Sequence, residues 1–205
     1  MAPTKPDNYS PRQLRLQRIA TIVSVLVVLL FAGRIALTLV TRAGSPEADM
    51  VSYYDGTQRL REGLPLYRPN ISIQQQNFQF IYPPPLAFIL MPFPTYQAAW
   101  WGWGIFSIVC WLGSLGLILR ELWIDLRPRL APMWRPLLIA ALINFPPVES
   151  HLFWGQVQLQ LLLLLTACWL CLRRGREGWA GALLGLAIAL KLYPALLIAP
   201  LLVQR

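Results

Sequence analysis

The sequence predicts an all-α polytopic membrane protein, and three observations carry that prediction. Of its 205 residues, 56% are hydrophobic and 13% charged, against about 25% charged in an average soluble domain; the mean hydropathy is +0.49. Residues 21–40 and 98–119 are apolar runs of the roughly 20 residues that cross a bilayer as helix. The net charge of +9 falls mainly in three clusters: Lys5, Arg12, Arg15 and Arg18; Arg120, Arg127, Arg129 and Arg135; Arg173, Arg174 and Arg176. Each cluster flanks an apolar run, as cytoplasmic segments do. A nucleic-acid-binding protein would gather such charge on one soluble face, so no nucleic-acid partner is expected.

The elements follow in order. Residues 1–18 are polar, contain Pro3, Pro6 and Pro11, and read as a disordered cytoplasmic tail. Residues 19–205 read as one transmembrane domain. Its first span, about 19–40, is too long for a signal-peptide core and stays as an anchor. The basic front of that span places the N-terminus in the cytoplasm and the chain in the plasma or inner membrane. Arg34, in the outer third, is expected to snorkel to the far interface. Residues 41–81 form an outer loop much longer than an ordinary connection. The apolar piece 82–93 is short and bounded by prolines, so it is expected to re-enter rather than cross. The run 98–119 is a full span with Trp100, Trp101 and Trp103 near one interface. Residues 137–145 go back out, 146–156 make a second outer loop, 157–172 return to the basic turn, and 180–203 leave as a last span. Cys110, Cys168 and Cys171 all lie within apolar runs, so no disulfide is expected. The Cys168/Cys171 spacing lacks the exposed, activated thiolate that redox chemistry needs.

The first outer loop is where chemistry concentrates. Ser45-Pro46-Glu47 reads as a helix start, with a capping serine, a first-turn proline and an acid at the positive end. Gly63 supplies the stop. Between them Met50, Tyr53, Tyr54, Thr57 and Leu60 recur at three and four residues, the period of an amphipathic helix, expected to lie on the outer membrane surface. Asp49 flanks the apolar stripe, whereas Glu47 turns away. A carboxylate at the lipid boundary suits a general base on a hydroxyl whose reaction partner is anchored in lipid. Arg59, Arg61 and Arg68 suit an anionic head group. On spacing alone, a solvated helix whose acids only complement its own dipole fits equally well.

The stretch Glu47-Ala-Asp49-Met-Val-Ser-Tyr53-Tyr-Asp55-Gly, then Gly63-Leu-Pro-Leu-Tyr67, resembles the first outer loop of family 87 glycosyltransferases. These are polyprenol-phosphate-mannose-dependent mannosyltransferases of the GT-C superfamily. Phe80-Ile-Tyr82-Pro-Pro-Pro-Leu86 and Met91-Pro-Phe93 are similar to that family's Tyr-Pro-Pro segment. Gly155-Gln156-Val-Gln158 is similar to its Gly-Gln-x-Asn element, with glutamine in place of asparagine. Ala180-Gly-Ala-Leu-Leu-Gly185 and Lys191-Leu-Tyr193-Pro194 resemble its Lys-x-Tyr-Pro helix. None of these motifs is specific alone; five in the right order, from Glu47 to Pro194, are.

The resemblance implies a GT-C-type helical bundle that moves a hexose from a polyprenyl-phosphate donor to a lipid or glycan acceptor on the outer face. Asp49 would take the acceptor's proton, and the anomeric centre would invert. Glu47, Tyr53, Asp55, Arg59, Tyr67, Tyr82, Gln156, Gln158, Lys191 and Tyr193 would line the donor and acceptor sites. Lys191 is read as a mid-span ionisable group, costly and by default functional, paired with the donor phosphate or with a helix carbonyl. Gln156 and Gln158 either bond sugar hydroxyls or bridge helices. Glu149 and His151 share the second outer loop, His151 as a loop hydrogen-bonder. No cofactor is expected, a divalent metal at the acid-x-acid pair being the alternative. Family members are considerably longer, and their C-terminal helices, which help hold the donor lipid, have no counterpart here. The chain is therefore expected to be a fragment, a truncated product or a half that needs a partner. A non-catalytic remnant is one rival reading; a lipid or sugar transporter is another, but it would carry internal pseudo-symmetry, and none is evident.

Overall fold

The computed structural model describes residues 10–43, 49–68, 79–126 and 129–203, and every regular element among them is helical. Helix α1 runs Pro11–Arg42. Its start is a reciprocal cap: the Gln13 amide donates to Ser10 Oγ, and the Ser10 amide donates to Gln13 Oε1, with Pro11 in the first turn. The disordered tail expected over 1–18 therefore turns helical at Pro11, because Ser-Pro-x-Gln is a start signal that polar composition hides. Residues 1–9 lie outside the described residues.

Next come α2 (Asp49–Arg61), α3 (Pro85–Ile89), α4 (Tyr96–Leu126), α5 (Trp134–Ile143), α6 (Pro146–Trp154), α7 (Gln158–Arg173) and α8 (Glu177–Leu190). A 3-10 segment, Tyr193–Leu197, leads into α9 (Ile198–Val203). Three stretches are long and apolar enough to cross a membrane: Pro11–Arg42, Tyr96–Trp123 and Trp134–Trp154. Helix α3, with five residues, spans only about 8 Å and cannot cross.

Contacts along the bundle give each helix its direction. Thr21, Ser24 and Val28 of α1 face Pro136, Ile139 and Ala140 of α5; farther up, Arg34 pairs with Glu149 at 2.6 Å and Arg42 lies over the Phe153 ring. Helices α5 and α6 thus run alongside α1 in the same sense. Residues 146–154 are not an outer loop but the second half of this crossing. The reason lies in the prolines. Asn144 ends α5 by donating from Nδ2 to the Ala140 carbonyl, and Pro146 and Pro147 occupy the first turn of α6, where no amide is needed.

Helices α4 and α7 run together the opposite way. Trp103 Nε1 donates to the Gly155 carbonyl, Gln160 Nε2 to Ser107 Oγ, and Arg173 and Arg174 pair with Glu121. The described residues of the basic clusters therefore collect at one end of the bundle: Arg12, Arg15 and Arg18 at the start of α1, Arg120 toward the end of α4, Arg129 and Arg135 about the start of α5, and Arg173, Arg174 and Arg176 at the α7–α8 turn. Helix α8 returns toward the other end and stops at Leu190. Lys191 is extended, with φ −155 and ψ 136, and Pro194 cannot donate the amide that a continuing helix needs. Leu201 then packs back against Cys168 and Leu184. The expected span 180–203 is broken, and Lys191 sits at the break rather than in mid-helix.

Candidate active site

The apolar stripe of α2 is fully used, but not on lipid. Met50, Tyr53 and Thr57 are completely buried and Tyr54 nearly so. They pack on Phe80, Leu86, Leu90, Trp100, Trp103, Val157 and Leu190. The cover that displaces lipid is the segment 79–94. Its irregular backbone leaves carbonyls free, which costs heavily in an apolar setting, and α2 supplies the donors. Ser52 Oγ donates to Gln79 O at 2.8 Å, Thr57 Oγ1 to Ala87 O at 2.9 Å, and Tyr54 Oη to Pro94 O at 3.0 Å. Arg61 Nη2 reaches both Met91 O and Phe93 O, at 2.6 and 2.5 Å. Gly56 lets the Phe80 ring lie on the helix, since a Cβ there would come within 2.5 Å of it.

Helix α2 ends as expected at Gly63, φ 68, with the amides of Gly63 and Leu64 closing on the carbonyls of Leu60 and Arg59. The start expected at Ser45-Pro46, and Glu47 with it, lies outside the described residues. Several of the expected binding residues are engaged internally. Arg59 Nε donates to Pro65 O at 2.7 Å, Arg68 pairs with Asp55 at 2.7 Å, and Tyr67 Oη donates to Tyr82 O at 3.0 Å. Arg34 does not snorkel alone but pairs with Glu149.

A second wall comes from the α6–α7 turn. Gly155 has φ 66, its carbonyl accepts from Trp103 Nε1 at 2.8 Å, and a Cβ on it would stand 2.8 Å from Met50 Cβ. That contact sets Gln156 and Val157 beside the first turn of α2. Gln156 Oε1 lies 2.7 Å from His151 Nδ1. Gln158 Oε1 is buried without a hydrogen-bond partner.

At the centre, the Tyr82 ring meets Tyr53 edge-on at 4.7 Å. Lys191 Nζ stands 5.7 Å from the Tyr82 ring centre and 5.9 Å from that of Tyr193, close enough for cation–π attraction. Among the described residues, no carboxylate pairs with Lys191 and no cation with Asp49. The Tyr53 hydroxyl is buried and makes no hydrogen bond of ordinary geometry; the Tyr82 hydroxyl, Asp49 and the Val157 amide face it. Burial, first, and then the Tyr82 and Asp49 charges push the Tyr53 phenol well above its usual range. Burial also raises Tyr82, with Asp49 adding to it and the Tyr53 hydroxyl opposing. Both phenols stay protonated at neutral pH. The result is a half-buried carboxylate, two neutral phenols and an ammonium gathered at one end of a helical bundle. Among the described residues, no group of three or more His, Cys, Asp or Glu is placed to hold a metal ion.

Glycosyltransferase family 87 matches residues 80–205 of the sequence. The chain belongs to that family. Among curated proteins, this family 87 chain is similar to a polyprenol-phosphate-mannose-dependent alpha-(1-2)-phosphatidylinositol mannoside mannosyltransferase of Mycobacterium tuberculosis. The two are 30% identical over 171 residues, 77% of this chain and 40% of the relative. It is 29% identical over 190 residues, 90% of this chain, to a phosphatidylinositol pentamannoside mannosyltransferase of Mycolicibacterium smegmatis with the same donor dependence, covering 44% of it. The chain thus spans about half the length of these relatives. No solved structure matches.

Within the family 87 chain, the fold brings together Asp49, Tyr53, Tyr82, Gln156, Lys191 and Tyr193 from four separate segments. It ties Asp55, Arg59 and Tyr67 into the loop that covers Tyr82. Sequence reasoning missed the donors Ser52, Thr57 and Tyr54 and the clasp made by Arg61. Tyr54 and Thr57 were legible as members of the stripe, but not as donors to the covering segment.

Proposed function

We propose that this chain carries the catalytic face of an inverting membrane hexosyltransferase, with mannose the first candidate sugar. The donor is a polyprenyl-phosphate sugar, the acceptor a lipid or glycan hydroxyl, and the reaction takes place on the outer face. The end of the bundle that holds the basic clusters, and the N-terminus with it, lies in the cytoplasm of the plasma or inner membrane. The observation that carries this reading is a carboxylate, Asp49, and an ammonium, Lys191, that both act on Tyr82 and that have no ion-pair partner among the described residues of a family 87 chain. The names of the curated relatives support both the donor class and a lipid-borne acceptor.

The chemistry follows from those two charges. The acceptor oxygen attacks the anomeric carbon from the face opposite the phosphate. The bond from that carbon to the phosphate oxygen breaks, and its electron pair leaves with the phosphate. Charge on the sugar peaks in an oxocarbenium-like transition state. Asp49 takes the proton the acceptor loses, and Lys191 offsets the charge that grows on the phosphate. The phenols of Tyr53 and Tyr82, protonated, add hydrogen-bond donors without adding charge. A lipid monophosphate leaves without needing a divalent ion, so no cofactor enters the scheme.

The test replaces Asp49 at the chromosomal locus, so that the protein is assayed in its own membranes. Asp49→Asn keeps size and register but cannot accept a proton, and transfer from polyprenyl-phosphate-mannose should fall by roughly 10²–10⁴ at equal protein levels. Glu47→Gln should cost far less, and Asp55→Asn, which breaks the Arg68 pair, should fall between. Near-normal transfer in Asp49→Asn, with transfer abolished in Glu47→Gln, would refute the assignment.

A further inference from the structure

We infer that His151 is a positioning residue that aims the Gln156 amide at the hydroxyls of the bound hexose. The inference rests on the donor reading above and adds the group that recognises the sugar rather than the phosphate.

The geometry begins with a double tether. The Gln156 backbone amide donates to the His151 carbonyl at 2.9 Å, and Gln156 Oε1 lies 2.7 Å from His151 Nδ1. An amide oxygen only accepts, so the imidazole must carry its proton on Nδ1. With its oxygen engaged, the amide presents its NH₂ end, and among the described residues Nε2 has no partner. The post that holds it is firm. Two residues before His151, Glu149 is pinned to Arg34 at 2.6 Å; one residue after, Leu152 is buried in the α1–α4–α6 core. The place is right as well: Gly155 abuts Met50, the neighbour of Asp49, and the Val157 amide faces Tyr53. A neutral NH₂ donor suits the neutral oxygens of a sugar, while the Lys191 ammonium suits the phosphate.

Because the chain contains one histidine, its imidazole can be read directly. The nitrogen spectrum of protein labelled with ¹⁵N-histidine should show the Nδ1–H tautomer, and polyprenyl-phosphate-mannose should shift both ring signals. The same shift should appear in Asp49→Asn, which loses the base but not the sugar site. His151→Phe should weaken binding of polyprenyl-phosphate-mannose about tenfold, the worth of one well-oriented hydrogen bond, and leave binding of sugar-free polyprenyl phosphate unchanged. A merely structural histidine would weaken both lipids equally, and that result, or an Nε2–H tautomer, overturns the inference. If wild-type protein binds the sugar-free lipid but gains nothing from the mannose, the sugar-reading role is refuted while the phosphate reading stands. Failure to bind either lipid overturns both.

Discussion

Adding one methyl group at Gly155 tests whether the α6–α7 turn is truly seated on α2. Gly155 and Gly175 share the same backbone, φ 66 and φ 67, but not the same surroundings. A Cβ on Gly155 would stand 2.8 Å from Met50 Cβ and 3.3 Å from the Trp100 ring, whereas a Cβ on Gly175 meets nothing within 4 Å. The left-handed backbone alone costs an alanine about 1–2 kcal/mol, partly offset by about 0.4–1 kcal/mol from a stiffer unfolded chain. Gly175→Ala should therefore lose about 0–1.6 kcal/mol. Gly155→Ala carries the same backbone cost plus overpacking of about 1–3 kcal/mol, since neither Met50 Cβ nor a buried indole can move aside cheaply. Equilibrium unfolding of both variants in mixed micelles measures the difference directly. Gly155→Ala should also weaken binding of polyprenyl-phosphate-mannose, because the displaced turn carries Gln156 with it. Equal losses in the two variants would show that the turn is not packed on Met50, and the site would lose its second wall.

Two further outcomes follow from the architecture. In a cysteine-free background, an impermeant thiol reagent applied to intact cells should label Glu62→Cys and spare Arg176→Cys, both exposed positions; labelling of both, or of Arg176→Cys alone, would overturn the sidedness. Arg61→Met should destabilise the folded protein by about 2–4 kcal/mol, because two carbonyls lose a charged donor at once. In thermal unfolding in detergent, a loss no larger than that of Arg176→Met would mean that the clasp on Met91 and Phe93 does not hold the covering segment.

The two longest apolar helices, the non-crossing piece at 82–93 and the Gly63 stop were legible because each is a local signal: run length, flanking prolines, one residue's backbone freedom. The stripe on α2 was legible as a face, but nothing in a 3.6-residue period says whether lipid or protein will cover it. Pro146-Pro147 read as a loop because prolines end helices more visibly than they begin them, and here they fill the first turn of α6. The break at Lys191 was announced by Pro194, but the run from residue 180 to 203 is otherwise so apolar that it read as one span. Arg34 read as a lone snorkelling charge because its partner is 115 residues away. At the candidate site, motif order singled out Asp49, Tyr82 and Lys191, which the fold brings close together. That Lys191 faces the same ring as Tyr53 depends on how four segments close over one another, which no single segment encodes.

The helices that surround the site differ greatly in height. Helices α1 and α4 have 32 and 31 residues, about 46–48 Å, while α7 and α8 have 16 and 14, about 21–24 Å. Lipid tails span about 30 Å, so the belt the protein offers them is wedge-shaped, tall on one flank and short on the other. A bilayer meets a short flank by thinning or by letting the protein tilt, and either response brings the head-group plane at the Lys191 end closer to α8. The ammonium at the top of α8 then stands at head-group depth although it follows only four turns of helix. On the proposed donor reading, a carrier lipid with its tail in the leaflet beside α8 would bring its phosphate to this height without being lifted from the membrane.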